Sequence, residues 1–229
     1  MKTHRMFKYG LITAAGHGSR LDPLTQYLPK ALVEVNGAPM IRSLLDQINP
    51  LVPHVSVTIG YKAEMLASRL AQSISAMYNT SGKGNGWWIF NTPLRFVNAP
   101  VLVVACDIVA DLDLHFIYDQ YLKNGHPPCM LVPIHATSDV EGDFIEYKDG
   151  RVTALSRTIE TPMMGSGIYV INPAVVNARM AEMQDVTDVW KHFLPAGDLG
   201  CTPIYPKFWA TVNNLEQLYR CQQALTVNL

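Results

Sequence analysis

Residues 11–39 constrain the fold of this chain more than any other part of the sequence, and they read LITAAGHGSRLDPLTQYLPKALVEVNGAP. The stretch around their start, residues 9–15, is short, apolar and partly β-branched, which predicts a buried first strand. This strand runs straight into a loop that carries Gly16 and Gly18. Glycines at such a turn leave backbone N–H groups free to face a ligand.

Two basic residues accompany the glycine loop. Arg20 lies close behind Gly16, and Lys30 follows Pro29. Successive N–H donors form a concave anion site, to which arginine adds a forked donor and lysine a compact charge. The loop lacks the third glycine of the dinucleotide fingerprint, and no acidic residue ends an obvious second strand about twenty residues later. We therefore expect phosphate binding here and not hydride transfer.

Composition limits the class of protein. The 229 residues, 48% of them hydrophobic and 16% charged, suit one globular domain over residues 1–229. A net charge of −1 gives no general attraction to nucleic acid or membranes, so we expect neither as a partner. The four cysteines lack CxxC spacing, and no apolar run suits a signal peptide or membrane span. We expect a cytoplasmic protein with reduced thiols.

Strand and helix patterns alternate along the chain. The stretches predicted as strands are residues 55–59, 101–105 and 167–171, together with a hairpin of residues 144–147 and 151–155. A first helix follows Pro39 and ends near Asn49. The apolar line of a second helix consists of Leu66, Leu70, Ile74 and Met77. This alternation predicts an α/β domain with a mostly parallel sheet and ligands at the carboxyl ends of its strands.

Two oxygen-bearing side chains follow strand-like runs. Asp107 leaves the carboxyl end of the strand at 101–105, where a carboxylate could hold Mg²⁺. Asn213 precedes a helix for which Asn214 and Gln217 resemble a capping box, so it could be a metal ligand or a turn residue. The aromatic residues that could either stack on a base or fill the core are Trp87, Trp88 and Phe90.

Taken together, residues 11–39 resemble the opening of the nucleotidyltransferases that make activated sugars, approximately LAAGxGxRLxPLTxxxPKxLxxVxGxP. Further landmarks of that family follow in order: GYK at 60–62, GNGWW at 84–88, VVACD at 103–107 and GSGIYV at 165–170. GDF at 142–144 is similar to N-acetylmuramate 1-phosphate uridylyltransferases, and KALVEVN at 30–36 to phosphocholine cytidylyltransferases. The resemblance implies a Rossmann-like three-layer α/β/α sandwich with a mixed, mostly parallel sheet. Residues 8–110 would bind the nucleotide and residues 111–229 the acceptor.

The resemblance also implies an activity and a set of site residues. A nucleoside monophosphate would move from a nucleoside triphosphate to a phosphorylated acceptor, a sugar 1-phosphate being expected, with release of pyrophosphate. Arg20, Lys30 and Asp107 would be catalytic, and Asp107 and Asn213 would hold Mg²⁺. The implied nucleotide-binding residues are Ala14, Ala15, Gly16, His17, Gly18, Ser19, Gly84 and Asn85. The implied acceptor-binding residues are Asp143, Arg157 and Ser166.

Two departures from the family pattern keep alternatives open. Thr211 stands where many sugar nucleotidyltransferases have an aspartate, and Cys106 replaces a usual glycine. A catalytically impaired nucleotide-binding module is therefore one alternative. Cytidylyl transfer to a non-sugar phosphate such as phosphocholine is a second, and transfer to a large acceptor such as a molybdenum cofactor is a third. The sequence selects neither the base nor the oligomeric state.

Overall fold

The computed structural model describes residues 6–227, so residues 1–5 and 228–229 of the predicted domain lie outside it. The strands are β1 Tyr9–Thr13, β2 Glu34–Val35, β3 Ala38–Pro39, β4 His54–Ile59, β5 Ala76–Asn79, β6 Val101–Ala105, β7 Ile108–Ala110, β8 Cys129–His135, β9 Phe144–Lys148, β10 Arg151–Ser156, β11 Met163–Ile171, β12 Leu199–Cys201 and β13 Trp209–Thr211. The α-helices are α1 Leu24–Tyr27, α2 Met40–Ile48, α3 Ala63–Leu70, α4 Trp87–Asn91, α5 Leu114–Lys123, α6 Pro173–Arg179, α7 Val186–Phe193 and α8 Leu215–Val227.

One nine-stranded sheet runs through both halves of the chain in the order β5-β4-β1-β6-β11-β8-β12-β10-β9. Strand β1 is parallel to β4 on one side and to β6 on the other. Strands β10 and β11 run opposite to the other strands of this sheet. The predicted mixed, mostly parallel sheet is confirmed. Because the chain moves from β1 to β4 and later returns to β6, a topological switch point lies between β1 and β6, where open α/β sheets bind ligands.

Helices cover both faces of the sheet, as the three-layer prediction requires. Helices α2, α3 and α5 bury their apolar faces in one core cluster with alternate residues of the strands, such as Ile12 and Val104. Helices α4, α6 and α7 contribute to a second cluster with the intervening residues, such as Leu11 and Val103. Successive side chains of a strand point to opposite faces, so apolar strands of this kind are buried on both sides.

The first half follows the sequence pattern closely, with one error. Helix α2 and strand β6 are confirmed. The prediction that the second helix continues through Ile74 and Met77 is wrong, because α3 ends at Leu70 and Met77 belongs to the edge strand β5. The spacing of these apolar residues is compatible with a continued helix and also with a separate strand. Pairing of Met77 with Val57 satisfies the outer backbone groups of β4, which no local pattern reveals.

The second half contains the predicted hairpin, β9 and β10, in antiparallel register. Strand β11 begins at Met163, several residues before the predicted start, because an irregularity between Gly165 and Ile168 interrupts its alternation. Helix α7 is capped by the side chain of Asp185, which accepts a hydrogen bond from the Thr187 N–H. Within residues 6–227, no helix combines the length and the apolar character needed to cross a lipid bilayer.

Candidate active site

Three adjoining cavities meet at Thr13, the last residue of β1. The middle cavity has a volume of about 380 Å³ and is lined by the glycine loop, Lys30 and Asp107. A cavity of about 480 Å³ lies on the side of the 80–85 loop, and one of about 240 Å³ lies on the side of α7. The cavities beside the 80–85 loop and beside α7 also share Asn85, so all three adjoin one another at the switch-point edge of the sheet.

Lys30 provides the central charge of the middle cavity. Its Nζ donates to Asp107 Oδ2 at 2.7 Å and to Asn213 Oδ1 at 2.6 Å, and the residue is only 8% exposed. The lysine stem packs on Gly18, where an added Cβ would lie 2.8 Å from Lys30 Cβ. Gly18 also has φ +72°, which favours glycine. The glycine loop thus holds the lysine as well as facing the cavity.

A small β-ribbon brings Asp107 and Asn213 together across more than a hundred residues of sequence. Strand β7 starts directly after Asp107, and β13 ends just before Asn213, and the two strands pair antiparallel. The Val212 N–H donates to the Asp107 carbonyl at 2.8 Å. Gln217 Oε1 then accepts from the Asn213 N–H at 2.8 Å. The ribbon therefore sets the distance between the two oxygen-bearing side chains.

The loop that joins β1 to the cavity is held by its neighbours on β4 and beyond. The Ala14 N–H donates to Thr58 Oγ1 at 2.9 Å. A Cβ on Gly60 would lie 2.5 Å from the Ala15 carbonyl oxygen, so glycine is needed for this close approach. The His17 ring stacks on Tyr61 with centroids 3.9 Å apart. These contacts leave Gly16, Gly18 and Ser19 lining the cavities.

Arg20 lies at the mouth of the middle cavity, in a short 3₁₀ turn, Ser19–Leu21. Its guanidinium is 3.7 Å from the Glu141 carboxylate, and both side chains are largely exposed. An exposed pair at that distance holds its partners weakly. Arg20 can therefore exchange Glu141 for another anion at little cost.

Gly84 and Asn85, two of the residues predicted to bind the nucleotide, line the 480 Å³ cavity. Asn85 Oδ1 accepts from the Val186 N–H at 2.9 Å, and the Gly86 N–H donates to the Gln184 carbonyl at 2.8 Å. These bonds fasten the loop to the start of α7. Trp88 also lines this cavity, but it is 1% exposed and belongs to the core, so core filling is its main role.

The 240 Å³ cavity is lined by the three residues predicted to bind the acceptor. Arg157 Nε donates to Asp143 Oδ1 at 2.9 Å, and Thr187 Oγ1 donates to Asp143 Oδ2 at 3.2 Å. This hydrogen bond with Asp143 raises the pKa of Arg157, which therefore stays charged. Ser166 is buried in the irregular part of β11, and its hydroxyl donates to the carbonyl of Val132 on β8.

Cys106 lines the middle cavity beside Asp107. Burial, with a smaller contribution from the charge of Asp107, raises the pKa of its thiol from 9.0 to about 12. The side chain is therefore a neutral thiol near pH 7. It can fill space at the edge of the cavity, but it is no thiolate ligand or nucleophile.

Asp107 and Asn213, the predicted metal ligands, both line the middle cavity. Within residues 6–227, no three His, Cys, Asp or Glu side chains form a metal-holding group. One carboxylate and one amide oxygen converge on the same Lys30 Nζ, at 2.7 and 2.6 Å, and both are oxygen ligands that Mg²⁺ accepts. Mg²⁺ usually binds through one or two carboxylates plus substrate phosphates and water. The donor set fits an ion that shares its ligands with a nucleotide.

Comparison with protein families matches residues 10–132 to the MobA-like NTP transferase domain. The chain belongs to this family. The matched residues include all but the first residue of strand β1, the glycine loop, Lys30 and Asp107, so the family assignment covers most of the middle cavity. Asn213 and the predicted acceptor-binding residues lie beyond the match.

Curated relatives of this chain include mannose-1-phosphate guanyltransferases. Mannose-1-phosphate guanyltransferase of Pichia angusta is 25% identical over 184 residues, which cover 73% of this chain and 50% of that protein. The bifunctional protein GlmU of Methanococcus aeolicus is 29% identical over 116 residues, 50% of this chain and 28% of that protein. The chain thus spans about half the length, or less, of these relatives.

Solved structures with the same fold cover the NTP transferase almost completely. A putative glucose-1-phosphate thymidylyltransferase from Bacillus anthracis superposes with a TM-score of 0.80, 20% identity and 96% coverage of each chain. The CTP:phosphocholine cytidylyltransferase of Streptococcus pneumoniae gives a TM-score of 0.77 at 17% identity, covering 95% of this chain and 98% of that one. At these identities the likeness establishes the fold.

The structure brings most of the predicted site residues of the NTP transferase to the edge of the sheet around Thr13. The predicted residues that line the middle cavity are Gly16, Gly18, Ser19, Arg20, Lys30, Asp107 and Asn213. Sequence reasoning missed Tyr61 and Thr58, which also line the nucleotide-side cavity. The GYK landmark already pointed to Tyr61, whereas nothing local marks Thr58. The roles of all these residues remain predictions.

Proposed function

We propose that this protein transfers a nucleoside monophosphate from a nucleoside triphosphate to a sugar 1-phosphate and releases pyrophosphate. The observation that carries this proposal is the buried Lys30 ammonium, which lies in the middle of three cavities that meet at Thr13. The two cavities that adjoin this one could hold two substrates whose phosphates meet beside the buried cation. The family assignment and the sugar-phosphate relatives support the same reaction.

The donor nucleotide would bind with its base and ribose in the cavity beside Gly84 and its phosphates over the glycine loop. Backbone N–H groups of such a loop favour anions. Arg20 is held only by an exposed pair with Glu141, so it would turn to the leaving pyrophosphate. Lys30 would contact the reacting phosphates. Each of these groups is positive or a donor, as the charge of a triphosphate demands.

The chemical step would be an in-line displacement. An oxygen of the acceptor phosphate forms a bond to the α-phosphorus, while the bond between that phosphorus and the bridging oxygen of the β-phosphate breaks. Pyrophosphate carries away the electron pair, and no proton needs to move, because a phosphate dianion is already nucleophilic. The protein therefore supplies alignment and charge neutralisation, which are the main sources of catalysis in phosphoryl transfer.

Asp107 and Asn213 would hold Mg²⁺ together with the phosphates of the nucleotide. When bound, the ion would neutralise phosphate charge. In the protein itself, Lys30 is hydrogen bonded to both residues, and this contact keeps their oxygens converging before any ligand arrives. We propose Mg²⁺ as the cofactor on that ground.

The acceptor would occupy the cavity beside α7. Among the described residues, Asp143 and Arg157 are the charged side chains that line it, and they form an ion pair. Tyr169 and Trp190 also line the cavity, but they are only 9% and 4% exposed. A trimethylammonium group needs a free carboxylate or an open aromatic face, so the engaged carboxylate and the buried rings favour sugar hydroxyls over phosphocholine. The four cysteines are free thiols in the described part of the chain, which supports the cytoplasm as the proposed compartment.

The experiment that tests this proposal has two steps. Thermal unfolding is first measured with ATP, CTP, GTP, UTP and deoxythymidine triphosphate, each with and without Mg²⁺. A nucleotide present at about 100 times its Kd stabilises the folded protein by roughly 2.7 kcal/mol, so the donor should stand out. Pyrophosphate release is then measured with that donor and a panel of sugar 1-phosphates, with phosphocholine and a pterin phosphate as controls.

The outcomes separate the competing functions. Pyrophosphate release that requires a sugar 1-phosphate supports the proposal. Pyrophosphate release with phosphocholine or the pterin phosphate alone would show that the acceptor is not a sugar 1-phosphate. Stabilisation by a nucleotide without release with any acceptor would instead establish a nucleotide-binding module.

A further inference from the structure

Thr211 is a buried residue next to the predicted metal ligands that has no assigned role. It is 7% exposed and ends strand β13, which pairs with β7 just after Asp107. Its Oγ1 accepts a hydrogen bond from Asn213 Nδ2 at 2.9 Å and donates one to the Asp107 carbonyl oxygen at 3.4 Å. The hydroxyl therefore bridges the two residues that would hold the ion.

These bonds form a chain of fixed direction. Lys30 Nζ carries only donors, so the atom of Asn213 that faces it at 2.6 Å must be the amide oxygen. The amide NH₂ then faces Thr211. The Asp107 carbonyl can only accept, so the Thr211 proton points to it and a lone pair is left for the Asn213 amide. The bonds therefore run in one direction, from Lys30 through Asn213 and Thr211 to the Asp107 carbonyl.

We propose that Thr211 is a positioning residue that holds the Asn213 amide with its oxygen turned toward Lys30 and the bound cation. The inference rests on the proposed function, because it takes Asn213 as a ligand of the ion. Without a hydroxyl at position 211 the Asn213 NH₂ group loses its partner, and an unpaired amide can rotate away or turn its donors toward the cation. Gln217 holds only the backbone N–H of Asn213 and does not fix the amide.

The test compares Thr211→Val with Thr211→Ser and wild type. Valine keeps the size of threonine and removes the hydroxyl, whereas serine keeps the hydroxyl. Binding of Mn²⁺ is measured by electron paramagnetic resonance in the presence of the nucleotide that most stabilises the protein. We expect Thr211→Val to weaken Mn²⁺ binding about 10- to 100-fold, the usual effect of losing a residue that orients a metal ligand. Thr211→Ser should stay within about threefold of wild type.

A matched control removes a different buried threonine hydroxyl. Thr202 is fully buried, and its Oγ1 donates to the Pro203 carbonyl at 2.7 Å, outside the three cavities. Thr202→Val loses one buried hydrogen bond but should bind Mn²⁺ like wild type. In steady-state assays, Thr211→Val should raise the Mg²⁺ concentration needed for half-maximal pyrophosphate release and leave the KM for the acceptor unchanged.

The proposal is overturned if Thr211→Val binds Mn²⁺ as wild type does, if Thr211→Ser loses as much as Thr211→Val, or if wild type binds no Mn²⁺ with any nucleotide. Should Thr211→Val fail to fold, Thr211→Ala decides, because it also removes the hydroxyl and adds no charge, so it should weaken Mn²⁺ binding relative to Thr211→Ser. Equal Mn²⁺ binding by Thr211→Ala and Thr211→Ser overturns the proposal. A wild type that binds Mn²⁺ with nucleotide but releases no pyrophosphate refutes the proposed function and leaves the role of Thr211 testable.

Discussion

The middle cavity and the cavity beside α7 each contain one pair of a basic residue and a carboxylate, and the two pairs differ in burial. The side chains of Lys30 and Asp107 are 10% and 27% exposed, whereas those of Arg157 and Asp143 are 68% and 21% exposed. A buried pair has a large desolvation cost, and an exposed pair contributes little to stability. We therefore expect the first pair to act through its charge on a ligand and the second pair to be adjustable.

The largest expected effect is the loss of Lys30. Lys30→Ala should lower the rate of pyrophosphate release at least ~100-fold, because it removes one electrostatic stabiliser from a buried site. Asp107→Ala should have an effect of similar size. The measurement is turnover at saturating substrates, with circular dichroism to verify folding.

Lys191→Ala is the matched control, because Lys191 is 64% exposed and forms an ion pair with Asp188 on its own helix. Its turnover should equal that of wild type. If Lys30→Ala and Asp107→Ala both keep near-normal turnover, the catalytic assignment is lost.

The next effect concerns the loop that fastens the nucleotide side to α7. A Cβ on Gly84 would lie 2.1 Å from the Gln184 carbonyl oxygen, whereas at Gly16 nothing lies within 4 Å. Gly84→Ala should therefore lower the free energy of unfolding by about 1–3 kcal/mol, as overpacking does, while Gly16→Ala should not. Urea unfolding measures both. Equal stability of the two variants would contradict the observed packing.

The acceptor pair should matter in a selective way. Asp143→Ala removes the partner of Arg157 and Thr187, and we expect the KM for the acceptor to rise about tenfold, which corresponds to about 1.4 kcal/mol. The KM for the nucleotide should not change, because Asp143 does not line the nucleotide-side cavity. Initial-rate kinetics with both substrates varied provide the measurement. A change in the nucleotide KM alone would assign Asp143 to the donor.

Cys201, at the end of strand β12, should make the stability of the protein depend on pH. Burial raises the pKa of its thiol from 9.0 to about 12. A raised pKa of a thiol means that the unfolded state loses the proton first, so stability is intact below pH 9 and falls as the pH rises from 9 toward 12. Between pH 9 and 10 this thiol should account for about 1 kcal/mol of the loss. Urea unfolding should therefore show that the free energy of unfolding decreases by about 1 kcal/mol less in Cys201→Ala than in wild type over this pH range. An equal decrease in both proteins would contradict the raised pKa of Cys201.

The smallest effect is expected for Glu141, whose side chain is 96% exposed. Glu141→Gln should leave the thermal midpoint unchanged, because an exposed ion pair contributes little. It should tighten nucleotide binding slightly by freeing Arg20, and 0.5 M NaCl should remove the difference. Isothermal titration at low and high salt measures this effect. A lower affinity of Glu141→Gln for the nucleotide would show that Glu141 assists binding.

The sequence predicted the region around the glycine loop better than the region around β11, for a physical reason. The glycine loop, Lys30 and strand β6 are local patterns, and each follows from spacing and residue type. In contrast, Ser166 lies in an irregular strand where its hydroxyl bonds to the Val132 carbonyl, and this irregularity also places the start of β11 before the predicted residue. Irregular backbone is stabilised by partners far along the chain, which periodicity does not reveal.

By itself, the sequence determined the first strand, the phosphate-facing glycine loop, the alternation of strands and helices, and the identity of Lys30 and Asp107 as candidates. The tertiary structure decided which side chains meet. Pairing of β7 with β13 brings Asn213 to Asp107, and Thr211 then turns its amide. The pairing of β7 with β13 and the bond from Thr211 to the Asp107 carbonyl join residues about a hundred positions apart. The direction of these hydrogen bonds depends on the three-dimensional placement of donors and acceptors, which residue order alone does not specify.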